Sequence, residues 1–140
     1  MRYLLSGLLA LSAFGQDCAA YLERARQAYS LKQYSQAARE FEFAAGRCPQ
    51  RAAVLFDLAK ARFMAQEFEL ADTVLQQLLE IDRKNAPALK LRGDVLYLLA
   101  RDKEAEQLLL QAAALDPDNP EPPYALGRIY YQQSRFQEAI

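Results

Sequence analysis

The stretch "DKEAEQLLLQAAALDP" (residues 102–117) decides the fold once it is laid over "FELADTVLQQLLEIDR" (68–83) and "YSQAAREFEFAAGRCP" (34–49). The three align without gaps, and a fourth copy opens with "FQEAI" (136–140). Ala37, Ala71, Ala105 and Ala139 occupy one column, each 34 residues from the next. Tyr34, Phe68, Asp102 and Phe136 keep the same step, as do Pro49, Arg83 and Pro117. Upstream, Ala25, Ala59, Gly93 and Gly127 hold it again. A fixed period of this length marks a stack of supersecondary units, because one unit alone cannot bury its apolar face.

Composition says what those units are made of. The 140 residues are 52% apolar, dominated by Ala and Leu, and Glu, Gln, Arg and Lys fill much of the rest. These are strong helix formers, while the β-branched residues that favour strands are scarce. The chain is therefore all-α. Its net charge of −1 comes from interspersed charges, without the basic face of a nucleic-acid binder. It contains no histidine, which removes the commonest general base, the Ser-His-Asp triad and most zinc sites. There is no Gly-rich phosphate loop, no Cys-x-x-Cys and no calcium-loop spacing, so no catalytic residue, metal ligand or cofactor is assigned.

Within each copy the pattern predicts two helices and two turns. Leu55, Leu58, Ala59, Ala61 and Phe63 recur at helical spacing. Breaks fall at "RCPQR" (47–51), "DRKNAP" (82–87) and "DPDNPEPP" (116–123), and Pro87 sits where a helix start tolerates its missing N–H. The small residues at 25, 59, 93 and 127, and the alanines at 37, 71, 105 and 139, let paired helices approach closely. The acidic pairs Glu40/Glu42, Glu67/Glu69 and Glu104/Glu106 diverge on a helix and read as solvated faces.

With "LKLRGDVLYLLARDKEAEQLLLQAAALDPDN" (89–119) and "YALGRIYYQQSRFQEAI" (124–140) in this register, the chain resembles the tetratricopeptide repeat family. The resemblance implies a right-handed superhelical solenoid of antiparallel helix pairs, about three and a half repeats long. The expected copies are 18–51, 52–85, 86–119 and a shortened 120–140. The sequence departs from the family's pattern at Arg24 and Arg92, where Leu is usual, and at Asp102, Arg83 and Pro123. The early end at Ile140 reads as a fragment of a longer protein, since a solenoid needs a polar cap, with docking of that end on a partner as the alternative.

The resemblance also implies a concave face lined by the first helices. Three stripes fall there at the 34-residue step. One is aromatic, Tyr29, Phe63, Tyr97 and Tyr131. A mostly basic one, Arg26, Lys60, Asp94 and Arg128, lies one helical turn away. Leu22, Phe56, Lys90 and Tyr124 lie a further turn back. Such a surface suits a protein or peptide segment carrying apolar and acidic residues. The competing reading places the aromatics in the packing between helices and the charges on a solvated face. The Lys/Asn/Arg clamp by which some family members hold a terminal carboxylate is missing, because Leu22, Arg26 and Asp57 stand at the matching places.

The N-terminus adds a location. In "MRYLLSGLLALSAFG" (1–15), Arg2 precedes an apolar core of twelve residues, and Ala13 and Gly15 form a small-x-small end. This describes a secretory signal peptide, too short to span a bilayer comfortably, with an uncleaved anchor or an amphipathic first helix as the alternatives. The mature chain would begin Gln16-Asp17-Cys18 and keep no membrane span. Asp17 directly before the cysteine does not suit a lipid-anchor signal. The register puts Cys18 at the start of the first helix and Cys48 at the end of its partner, so a Cys18–Cys48 disulfide is expected in an oxidising compartment. Two separate thiols are the alternative.

Taken together, these readings describe an exported binding scaffold of the cell envelope, periplasmic or extracellular, acting as adaptor or assembly factor with no chemistry of its own. An accessory domain of a larger exported enzyme is the alternative. A third role, self-association through the open C-terminal end, predicts a concentration-dependent mass in sedimentation.

Overall fold

The computed structural model describes residues 17–134. The signal-peptide expectation at 1–15 lies outside the described residues, as do Phe136 and Ala139 of the fourth copy. Seven helices and no strand are present among the described residues: α1 (17–30), α2 (Tyr34–Ala45), α3 (Arg51–Met64), α4 (Phe68–Ile81), α5 (Ala86–Leu98), α6 (Asp102–Leu115) and α7 (Glu121–Gln132). The all-α expectation holds. The chain divides into two compact units, Met1–Ala65 with α1 to α3 and Gln66–Ile140 with α4 to α7.

In the first unit α2 turns one face inward through Ala37, Ala38, Phe41, Ala44 and Ala45, and α3 buries Val54, Leu55, Leu58, Ala59 and Ala61. These are the i, i+3, i+4 spacings of an amphipathic helix. α1 is held to α2 by three kinds of contact. A Cys18–Cys48 disulfide closes with Cα atoms 5.1 Å apart. Tyr21 stacks on Phe43 with ring centroids 5.5 Å apart. Arg24 Nε lies 3.4 Å from Glu40 Oε2, so one departure from the family's usual leucine carries an ion pair.

In the second unit Leu96, Ala105, Leu109, Ala125, Leu126, Ile129 and Tyr130 form one core across α5, α6 and α7. Gly93 is needed there. A Cβ at that position would lie 2.7 Å from Leu109 Cγ, so the close α5–α6 approach depends on its absence. Gly127 differs from the sequence expectation of close packing: an added Cβ there meets nothing within 4 Å among the described residues. The helix start at Pro87 holds, and Asn85 Oδ1 accepts the Ala88 N–H at 3.0 Å as an N-cap.

Arg92, the other departure from leucine, is explained by Asp72. The Asp72 side chain is 5% exposed and takes Arg92 Nε at 2.7 Å and Gln76 Nε2 at 2.8 Å. Asp102 accepts Gln133 Nε2 at 3.1 Å. The acidic residues read as solvated are in part engaged. Glu42 pairs with Arg62 at 3.2 Å, and Glu106 accepts the Tyr130 hydroxyl at 3.0 Å.

The period reappears in the backbone. Lys32, Gln66, Ala100 and Ser134, 34 residues apart, all have φ near +60°. Each follows the end of a first helix. At Ala100 the N–H reaches Tyr97 O and the next N–H, of Arg101, reaches Leu96 O at 2.8 Å. This is a left-handed helix C-cap, usually given to glycine. Ala100→Gly is therefore expected to raise stability by about 0.5–1 kcal/mol. Ala112→Gly inside α6, as control, lowers it by about 1 kcal/mol. Urea unfolding measures both, and a loss at both positions would contradict the strained cap.

Candidate functional site

Each unit carries its own groove. In the first, α1 contributes Arg26, Tyr29 and Ser30, α2 contributes Phe41, and α3 contributes Asp57 and Lys60, around a cavity of about 280 Å³. Lys60 Nζ is 3.1 Å from Asp57 Oδ1 and 5.2 Å from the centre of the Phe56 ring. The ammonium is thus already balanced. Arg26 is exposed and holds no ion pair or hydrogen bond among the described residues. The Tyr29 ring meets Tyr34 edge-on with centroids 5.1 Å apart, which fixes its plane at the wall. The groove has one surplus positive charge and an aromatic face beside it.

The second groove, of about 560 Å³, is lined by Tyr97 of α5 and by Pro123, Tyr124, Gly127, Arg128, Tyr131 and Gln132 of α7. Tyr124 and Tyr131 are each 71% exposed, a large apolar area to leave in water. The Arg128 guanidinium carbon stands 5.4 Å from the Tyr97 ring centre and 5.8 Å from that of Tyr124. The Tyr97 hydroxyl donates to Gln132 Oε1 at 2.6 Å. Gly127, which carries no packing duty here, leaves space along the helix.

Of the residues expected to line a groove, Arg26, Tyr29 and Lys60 do so in the first unit. Tyr97, Tyr124, Arg128 and Tyr131 do so in the second. Leu22, Phe56 and Phe63 are half-buried and stand outside both linings. Lys90 and Asp94 also stand outside them. Asp94 was expected on an open stripe but is buried, with Lys90 Nζ 2.6 Å from its Oδ2. Lys90 reaches Glu121 as well, at 3.7 Å. Reading by stripes of the first helices could not find Phe41, which belongs to a second helix, nor Pro123 and Gln132, which flank the periodic positions. Asp57 had a signal, since it stands where some family members carry a clamp residue.

Among the described residues no group of three metal-ligating side chains is present, and no helix is long and apolar enough to cross a membrane.

The chain is similar to the first TPR of Spaghetti (RPAP3), a structure bound to the HSP90 peptide SRMEEVD. The TM-score is 0.78 at 19% identity, covering 85% of this chain and 94% of that one. It is similar to MamA, with a TM-score of 0.81 at 18% identity over 93% of this chain and 76% of that one. It is also similar to the TPR domain of Arabidopsis OM64, with a TM-score of 0.76 at 26% identity over 84% of this chain and 97% of that one. No curated protein matches it in sequence. The family profile described as Tetratricopeptide repeat matches residues 28–95 and 100–140. With that match over most of its length, and helix pairs repeating every 34 residues, the chain belongs to the tetratricopeptide repeat family.

Proposed function

We propose that this protein is an exported peptide-binding scaffold, an adaptor or assembly factor that holds segments of partner proteins in the groove described for each unit. The observation that carries the reading is the pairing, in each groove, of tyrosine faces with an arginine that has no hydrogen bond among the described residues: Arg26 beside Tyr29, and Arg128 beside Tyr97 and Tyr124. Aromatic faces take apolar side chains at little entropic cost, and free guanidinium donors take carboxylates or carbonyls. The surplus charge of the first groove favours an acidic residue there. A similar fold, the Spaghetti (RPAP3) domain, is bound to a peptide ending in Glu-Glu-Val-Asp, which supports an acidic segment as one ligand class. Binding needs no catalytic group, and none is assigned.

Export is part of the proposal. The charged start, short apolar core and small-residue end of residues 1–15 support it, and so does the Cys18–Cys48 bond, since disulfides persist in oxidising compartments.

Fluorescence anisotropy tests the binding, with labelled apolar–acidic peptides for the first groove and labelled apolar peptides of neutral polar residues for the second. Tyr97→Ala and Tyr131→Ala are each expected to weaken it about tenfold, as loss of an exposed aromatic anchor does. Circular dichroism should show helical content unchanged, because Tyr131 is exposed and Tyr97 only half-buried. Unaltered affinity in both variants would overturn the reading, and collapse of the fold in both would return the tyrosines to the core.

A further inference from the structure

Asp94 carries an atom that the fold does not use. Its Oδ2 is taken by Lys90, but its Oδ1 is buried and has no hydrogen-bond partner among the described residues. Buried acceptors are rarely left empty, because they lose water and gain nothing. Arg128 Nη2 lies 4.0 Å from this oxygen, beyond hydrogen-bond reach. That guanidinium lies instead over the faces of Tyr97 and Tyr124, with its side chain 49% exposed. The unfilled acceptor thus lies buried behind the lining of the α5–α7 groove, next to Arg128 of that lining, whose guanidinium makes no hydrogen bond among the described residues.

The surrounding charge says what can fill them. Lys90 and Asp94 on α5 and Glu121 and Arg128 on α7 are two cations and two carboxylates in one chain of contacts. A ligand carboxylate would meet Asp94 and Glu121, and a ligand cation would meet Lys90 and Arg128. A neutral group presenting one N–H and one C=O matches both vacancies without a charge conflict.

We propose, resting on the peptide-binding reading above, that this groove recognises a neutral amide, its N–H donated to Asp94 Oδ1 and its carbonyl accepting from Arg128. The side-chain carboxamide of Asn or Gln offers that pair, and so does a single extended residue of a peptide backbone. The ligand's carbonyl draws the guanidinium along the tyrosine faces, which breaks no hydrogen bond, and its N–H then reaches the oxygen beneath. Neighbouring apolar atoms of the segment lie on Tyr97, Tyr124 and Tyr131.

The test uses the full chain and short blocked peptides of one Ser/Leu frame whose central residue is Gln, Glu, Lys or Leu, with affinity read by calorimetry. A side-chain source predicts that the Gln peptide binds roughly tenfold tighter than the other three, as a charge-assisted hydrogen bond allows. A backbone source predicts that all four bind alike and that N-methylation of the central residue costs the same roughly tenfold. Either preference should vanish in Asp94→Ala and in Arg128→Ala. The second variant is at an exposed position and decides the matter if the first fails to fold. Binding that shows neither preference, or a preference that survives Arg128→Ala, overturns the amide assignment while leaving the groove intact, provided Tyr97→Ala still weakens it. If no peptide binds, the groove reading itself falls, and the amide assignment with it.

Discussion

Asp72→Ala is expected to cost the second unit about 3–5 kcal/mol, the range for removing one partner from a buried ion pair. Asp72 sits on α4 with its side chain 5% exposed, and Arg92 of α5 donates to it at 2.7 Å from a side chain that is 21% exposed. Gln76 donates at 2.8 Å, and Arg101 stands 3.9 Å away. Deleting the carboxylate leaves the Arg92 guanidinium with its solvation lost and its main acceptor gone. Urea unfolding measures the loss. The double change Asp72→Leu with Arg92→Leu, which restores the family's usual residue at 92, should recover most of it, since a well-packed apolar pair often matches a buried salt bridge. A single variant as stable as the parent would show that the pair contributes little.

Reduction of the Cys18–Cys48 bond should have the next largest effect. It closes a loop with a sequence separation of 30 and ties α1 to the end of α2. In the chain-entropy account such a loop stabilises by about 3–4 kcal/mol. The melting temperature should therefore fall by roughly 10–20 °C in reductant. The paired change Cys18→Ser with Cys48→Ser should reproduce the drop without reductant. Hydrogen exchange should then show α1 opening before α3, because α1 loses its covalent hold while the Tyr21–Phe43 stack and the Arg24–Glu40 pair remain. Equal melting with and without reductant would mean the bond holds nothing that packing does not.

The prominence of these two interactions follows from how the repeat is written. The alanines of the 34-residue columns, Ala37, Ala71 and Ala105, are fully buried, so they mark where helices touch. They contribute little side-chain area, so charge pairs and a cross-link stand out beside them. Gly93 makes the same point from the other side. It is legible as a small residue in a column, yet its need shows only against Leu109.

The parts that could be read in advance are those governed by local chemistry and a fixed period. Helix formers in a 34-residue register, prolines and Asn85 at the breaks, and small residues at contact columns determine helices and turns over a few residues at a time. The cysteine pair was legible for the same reason, because the register places one residue at the start of a helix and the other at the end of its neighbour. The left-handed caps were hidden. Lys32, Gln66, Ala100 and Ser134 share a conformation but no side-chain character, and that conformation answers to helix-end hydrogen bonding.

The candidate site divides along the same line. The tyrosines and arginines at the groove positions could be picked out by period, since exposure on one helix face depends on the helix alone. Their pairings could not. Asp94 looked like one exposed member of a charged stripe, but α7 brings Glu121 and Arg128 beside α5 and turns it into a buried carboxylate with one oxygen unspent. Arg92 looked like a flaw in the pattern until α4 supplied Asp72. Burial and partner choice depend on atoms from different helices meeting at hydrogen-bond distance, and a period along one chain carries no information about that distance.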